Sequence, residues 1–117
     1  MILCIAGNPS IDKLFEVERL TPGAIHRPLS FVQVPGGKGL NVARAAASLG
    51  AHVTATGLLG GETGRWVAAA LETEGVDGRF AWTAAETRAS LSVADRATGR
   101  LTEFYEDGRP KIGRAHV

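Results

Sequence analysis

The chain has 117 residues, 44% of them hydrophobic and 21% charged, with a formal net charge of +1. That is the length of one domain or of part of a larger one, and near-zero charge with acids interleaved among the bases excludes the field and basic stripe of a nucleic-acid or anionic-membrane binder. No stretch approaches the ~18 apolar residues of a membrane helix, and the single cysteine, Cys4, excludes a disulfide within the chain and fits a reducing, cytoplasmic setting.

The first residues lack the basic leader of a secretory signal. Ile2 to Ala6 is a continuous apolar run closed by Gly7-Asn8-Pro9, which predicts a strand buried on both faces, as in a parallel sheet. Ile11 to Val17 alternates imperfectly and reads as a half-exposed strand. Thr21-Pro22-Gly23 is a turn. Leu29 to Val34 alternates better and reads as a second exposed-face strand, stopped by Pro35.

After Gly39 an alanine-rich helix buries Leu40, Ala43, Ala46 and Ala47 on one face, turns Arg44 and Ser48 to the other, and ends at Gly50. His52 to Leu59 is the next strand. Glu62 to about Glu74 is a second helix, with Trp66, Val67, Ala70 and Leu71 on its buried stripe and Arg65, Glu72 and Thr73 facing water. Arg79 to Thr83 reads as a short strand holding Trp82, and Ala89 to Ala94 with Leu101 to Tyr105 reads as a hairpin. Strand–helix–strand–helix order predicts a parallel α/β core, and the exposed strands a smaller sheet set against it. Lys111 to Val117 has no periodicity; IGRAHV resembles a translated sequencing adapter, so this tail is expected to be non-native.

The segment PGGKGLNVARAAASLG, Pro35 to Gly50, carries the chemistry. Glycines and a lysine at a helix start offer free backbone N–H groups, the positive end of a dipole and an ammonium to an anion or polyhydroxyl ligand. Two familiar phosphate motifs fail: Gly39 follows Gly37-Lys38 and Val32 stands where a P-loop needs glycine, and Val42 stands where a dinucleotide fingerprint needs glycine. Gly36, Gly37 and Gly39 permit either close approach of a ligand or a tight strand-to-helix turn. Lys38 sits where the dipole disfavours a cation, which points to function; the alternative is a solvated lysine. Asn41 is a ligand-facing amide or a capping one, Asp12 a sugar-hydroxyl acceptor or a loop aspartate, Arg88 a phosphate clamp or a surface arginine. His26, His52 and His116 share no metal-ligand spacing, so no metal site is expected from them. Trp66 and Trp82 are expected in the core.

Pro35 to Ala51 resembles the first signature of the PfkB/ribokinase family of carbohydrate kinases. Asn8-Pro9-Ser10-Ile11-Asp12 resembles that family's N-terminal motif, Gly60-Gly61-Glu62-Thr63-Gly64 its second glycine-rich turn, and Glu86-Thr87-Arg88 the start of its lid strand. NPSID, GGKGLNVAR and ETR are most similar to the hexose-phosphate branch, which includes 1-phosphofructokinases and tagatose-6-phosphate kinases. The resemblance implies a ribokinase-like three-layer α/β/α core with a small β-sheet lid, strands about 11–18, 28–35 and 88–106, with residues 1–110 forming the N-terminal part of the kinase domain.

It also implies ATP-dependent phosphorylation of a hexose phosphate, with Mg²⁺, and substrate binding by Asp12, Gly37, Lys38, Asn41 and Arg88. Arg27 resembles a second phosphate-contacting position. Glu103 would meet sugar or, by preference, pair with a lid arginine. The family's catalytic Asp base and its ATP site would lie beyond residue 117, so this chain alone is expected to be inactive. A homodimer contact through the lid is expected, at Leu29 to Val34 and the hairpin. The alternatives are a non-catalytic sugar-phosphate-binding module and, disfavoured by the failed fingerprint, a subunit of a dinucleotide-binding protein.

Overall fold

A computed structural model of the chain describes residues 1–107. The elements are β1 (Ile2–Ala6), β2 (Ser10–Val17), β3 (Ser30–Gly36), α1 (Lys38–Ser48), β4 (Val53–Gly60), α2 (Gly61–Thr73), β5 (Val76–Gly78), β6 (Ala81–Thr83), β7 (Arg88–Asp95) and β8 (Leu101–Tyr105). They form two sheets, a core sheet of order β1-β4-β5 with β6 also paired to β4, and a lid sheet of order β3-β2-β7-β8.

The core sheet is parallel throughout, with Ile2 opposite Val53 and Val53 opposite Val76. Parallel strands need crossovers, and the two helices supply them. Strand alternation turns Cys4, Ala6, Val53, Ala55 and Val76 to one face, where they meet Leu40 and Ala43 of α1 and Val67 and Leu71 of α2. Small side chains at Ala6, Ala43 and Ala55 let helix and sheet approach closely, and Leu40, Val67 and Leu71 are fully buried.

Both helices lie on that one face, so the described residues hold two of the three layers of the ribokinase-like α/β fold. The apolar run of β1 is therefore buried on one side rather than both: Leu3 and Ile5, alternating with Cys4 and Ala6, are 59% and 70% exposed. Trp82 is likewise no core residue but 47% exposed, because β6 lies along the edge of the sheet. β5, which the sequence pattern does not announce, has three residues, too few to show a period; it continues the same edge, with Arg79 N–H donating to Ala55 O at 2.8 Å.

In the lid, β2 and β3 are an antiparallel pair, β7 and β8 another, and β2 and β7 join them in parallel, with Ser10 opposite Arg88. Phe15 and Phe31 meet edge to face at 5.3 Å. The far end is closed by Asp95, which accepts from Leu20 N–H at 2.9 Å and Thr98 N–H at 3.0 Å. The expected non-native tail at 111–117 and the last positions of the kinase part, 108–110, lie outside the described residues.

Candidate substrate site

Three segments cross from core to lid: Gly7–Pro9 after β1, Gly36–Gly37 before α1, and Ala84–Thr87 before β7. They meet beyond the carboxyl ends of β1 and β4, where open α/β sheets hold their ligands. The start of α1 lies there because Gly39 packs on β1; a Cβ on Gly39 would come within 2.8 Å of Ala6 Cα. Gly37 has φ +98°, a conformation that side-chain-bearing residues rarely adopt, and a Cβ there would sit 2.9 Å from Asn8 O. Both roles open to these glycines, tight turn and close approach, thus fall on the same atoms. α1 has no side-chain cap and no acid in its first turn, so its positive end is not neutralised from within the helix.

Asp12 and Ser10 lie two apart on β2 and share a lid face, with Ser90 across from Asp12 on β7. Ser10 Oγ donates to Asp12 Oδ1 at 2.6 Å and Ser90 Oγ to the same oxygen at 2.9 Å. Both serines are buried, so the carboxylate is held through one oxygen. The whole carboxylate lies against Gly36, where any Cβ would collide with both of its oxygens. Asp12 is therefore an ordered acceptor, not a loose loop residue. Sequence reasoning missed the serines; Ser10 was detectable as the same-face neighbour in Ser-Ile-Asp, whereas Ser90, 78 residues away, had no local signal.

Arg88 opens β7 opposite Ser10. Its Nη2 donates to Asn8 O at 3.2 Å, and its Nε is buried with no acceptor among the described residues. An orphaned guanidinium donor is costly unless an anion or solvent reaches it. Beside it is a hollow of about 390 Å³ lined by Ile5, Gly7, Asn8, Gly37, Lys38, Gly39 and Arg88. A larger hollow of about 480 Å³, between α2 and Trp82, contains none of these groups.

The structure thus brings Gly37, Lys38 and Arg88 around one space, with Asp12 on the same lid face as Arg88, one alternation further out. Asn41 lies in the first turn of α1, exposed, with its backbone N–H donating to Gly37 O at 2.8 Å; it does not line the hollow. Arg27 is not brought there. It lies in the β2–β3 connection, beyond the Glu16–Ser30 pair, four residues or ~13 Å along the strand from Asp12. Among the described residues Glu103 pairs with no arginine; it accepts from Ser92 Oγ at 3.2 Å and Tyr105 Oη at 2.9 Å. That bond raises the Tyr105 pKa, helped by the charges of Glu103 and Asp12 and opposed by Arg88. No three His, Cys, Asp or Glu side chains among the described residues converge as a metal site.

Residues 3–110 match the pfkB family of carbohydrate kinases, and the chain belongs to it. Among curated relatives it is 40% identical over 94 residues to a 1-phosphofructokinase of Haloferax volcanii, covering 80% of this chain and 31% of the relative. It is 34% identical over 115 residues to a 1-phosphofructokinase of Xanthomonas campestris, covering 98% of this chain and 36% of the relative. The crystal structure of Escherichia coli phosphofructokinase-2 in complex with fructose-6-phosphate superposes with a TM-score of 0.84 at 34% identity, over 92% of this chain and 35% of that one. The chain therefore spans about a third of the length of these relatives. Among the described residues no helix is long and apolar enough to cross a membrane.

Proposed function

We propose that the chain is the substrate-gripping N-terminal part of an ATP-dependent hexose-phosphate kinase, acting on fructose 1-phosphate to give fructose 1,6-bisphosphate. Tagatose 6-phosphate is the second candidate substrate. The observation that carries this reading is the orphaned Nε of Arg88 beside Lys38 and the uncapped start of α1. Two cations and free helix amides suit a phosphate; the ordered Asp12 carboxylate suits sugar hydroxyls. The names of the two relatives favour fructose 1-phosphate.

In this reading Arg88 and Lys38 hold the substrate phosphate, Asp12 accepts from a sugar hydroxyl, and Asn41 reaches the sugar from α1 when the lid closes. The grip serves catalysis by placing one hydroxyl for attack, since phosphoryl transfer depends on positioning and on stabilising moving charge. In the whole kinase ATP would supply the phosphoryl group and Mg²⁺ the countercharge, at sites that the family resemblance assigns beyond residue 117. A cytosolic location accords with the lone, buried and unpaired Cys4. A lid-to-lid homodimer accords with exposed Leu29, Phe31 and Val32, and monomers alone on sedimentation of the full-length polypeptide would end it.

Calorimetry on the full-length polypeptide tests the reading. Fructose 1-phosphate should bind, and Arg88→Ala should weaken binding by about tenfold or more, the ~1.4 kcal/mol or more of a charged hydrogen bond. Unchanged affinity in that variant would sink it. The 117-residue chain by itself, incubated with ATP, Mg²⁺ and fructose 1-phosphate, should form no ADP above background; turnover proportional to protein would contradict the assignment of base and ATP site to residues beyond it.

A further inference from the structure

Two helix starts face the junction of core and lid, and only one is open. At α1 the first turn has neither cap nor acid. At α2 the carboxylate of Glu86, from the third crossing, reaches over the helix end. It accepts from Glu62 N–H at 3.3 Å and from Thr63 N–H at 3.2 Å. The Thr63 hydroxyl lies 3.1 Å from the same carboxylate and 2.8 Å from Thr87 O, so its one proton is shared between them. Thr87 completes the clasp: its N–H donates to Gly60 O at 3.0 Å, and its Oγ1 accepts from Gly60 N–H at 3.0 Å. Thr87 is buried, and the next residue is Arg88.

Gly61 has φ +65°, and a Cβ on it would occupy the place of the Glu86 carboxylate. The sequence thus omits a side chain where the carboxylate must enter. The contacts lower the Glu86 pKa, chiefly through the Thr63 N–H, so the group is charged at neutral pH and complements the helix end. The second crossing is tied to α1 instead, where Arg44 Nη1 donates to Pro35 O at 3.0 Å. The first two crossings turn on Gly7, with open space around it, and on Gly36–Gly37, and the first is held by Arg88 itself through Asn8 O.

We infer that Glu86 is a positioning residue for Arg88: by fastening the third crossing to α2 it fixes where the guanidinium enters the hollow. Glu86 does not line the hollow. It acts through Thr87 and the Gly60–Gly61 turn. The role rests on the reading of Arg88 as the phosphate clamp.

A double-mutant cycle on the full-length polypeptide, read by calorimetry with fructose 1-phosphate, tests both levels separately. Glu86→Ala should raise Kd by about tenfold. In the Arg88→Ala background it should add less than about twofold, because the guanidinium whose place it sets is gone. Glu86→Gln, which keeps a neutral acceptor for the helix amides, should fall between and decides the matter if Glu86→Ala does not fold. A purely structural role would lower the unfolding temperature and leave Kd unchanged in the folded protein, and that result would overturn the inference. Multiplicative effects of the two substitutions would overturn it as well. If Arg88→Ala itself leaves Kd unchanged, or the unsubstituted protein does not bind, the functional reading falls and takes this role with it.

Discussion

Asp12 divides its carboxylate: Oδ1 accepts from Ser10 and Ser90, Oδ2 accepts from no side chain among the described residues, and both lie against Gly36. That division fixes its direction without using its full acceptor capacity, which is what an acceptor for sugar hydroxyls requires. Gly36→Ala should therefore act as a substrate-site substitution even though alanine touches no ligand. The Cβ must displace the carboxylate, and Kd for fructose 1-phosphate should rise by about tenfold or more, ~1.4 kcal/mol; an unchanged Kd in the folded variant would show that the carboxylate is not used. At this scale the sequence revealed residues whose signal is local. Gly37 and Lys38 stand in one unbroken motif, and Asp12 follows a closed apolar run. Ser90 was silent because its partner lies 78 residues away, and Glu86 was visible as a motif residue but not in its contacts, 23 to 24 residues away. Arg27 was suggested by likeness of motif alone, and the β2–β3 connection carries it to the far end of the lid.

The elements were more legible than their surroundings. Both helices were readable from their apolar stripes and stop signals, since 11 and 13 residues suffice to show a 3.6-residue period. What could not be read was how much of each face is covered. β1 looks fully buried from its run of apolar residues, yet Leu3 and Ile5 are left mostly exposed among the described residues. The β7–β8 turn was visible as Thr98-Gly99, but not its anchor. Asp95 ties Leu20 and Thr98 across the lid end, and the Leu20 N–H above all lowers its pKa from the ordinary 3.8. A carboxylate depressed in the folded state contributes stability that is complete above the unfolded value and is lost as pH falls through the folded one. Urea midpoints should therefore drop below about pH 4, and Asp95→Asn should flatten that part of the profile while lowering the plateau. An identical acid slope in the variant would assign the loss to other carboxylates.

Over the whole molecule, one sheet face carries both helices and the opposite face leaves Leu3 and Ile5 in water, beside an edge with exposed Trp82. A patch of this kind drives association. The 117-residue chain by itself should sediment as a self-associating species, and Ile5→Lys should shift it toward monomer; a sharp monomeric peak with cooperative melting of the unsubstituted chain would refute this. The parallel β2–β7 pairing has a further consequence, for synthesis. Ser90 bonds Asp12 across 78 residues of sequence, so at ~5–20 residues per second β2 waits about 4 to 16 s on the ribosome for its central partner. During that interval it has only β3 beside it. Asp12, Lys13 and Glu16 charge the waiting strand on both faces, which discourages pairing with nascent chains on neighbouring ribosomes. The aspartate proposed to receive a sugar thus also guards the polypeptide while it is being made.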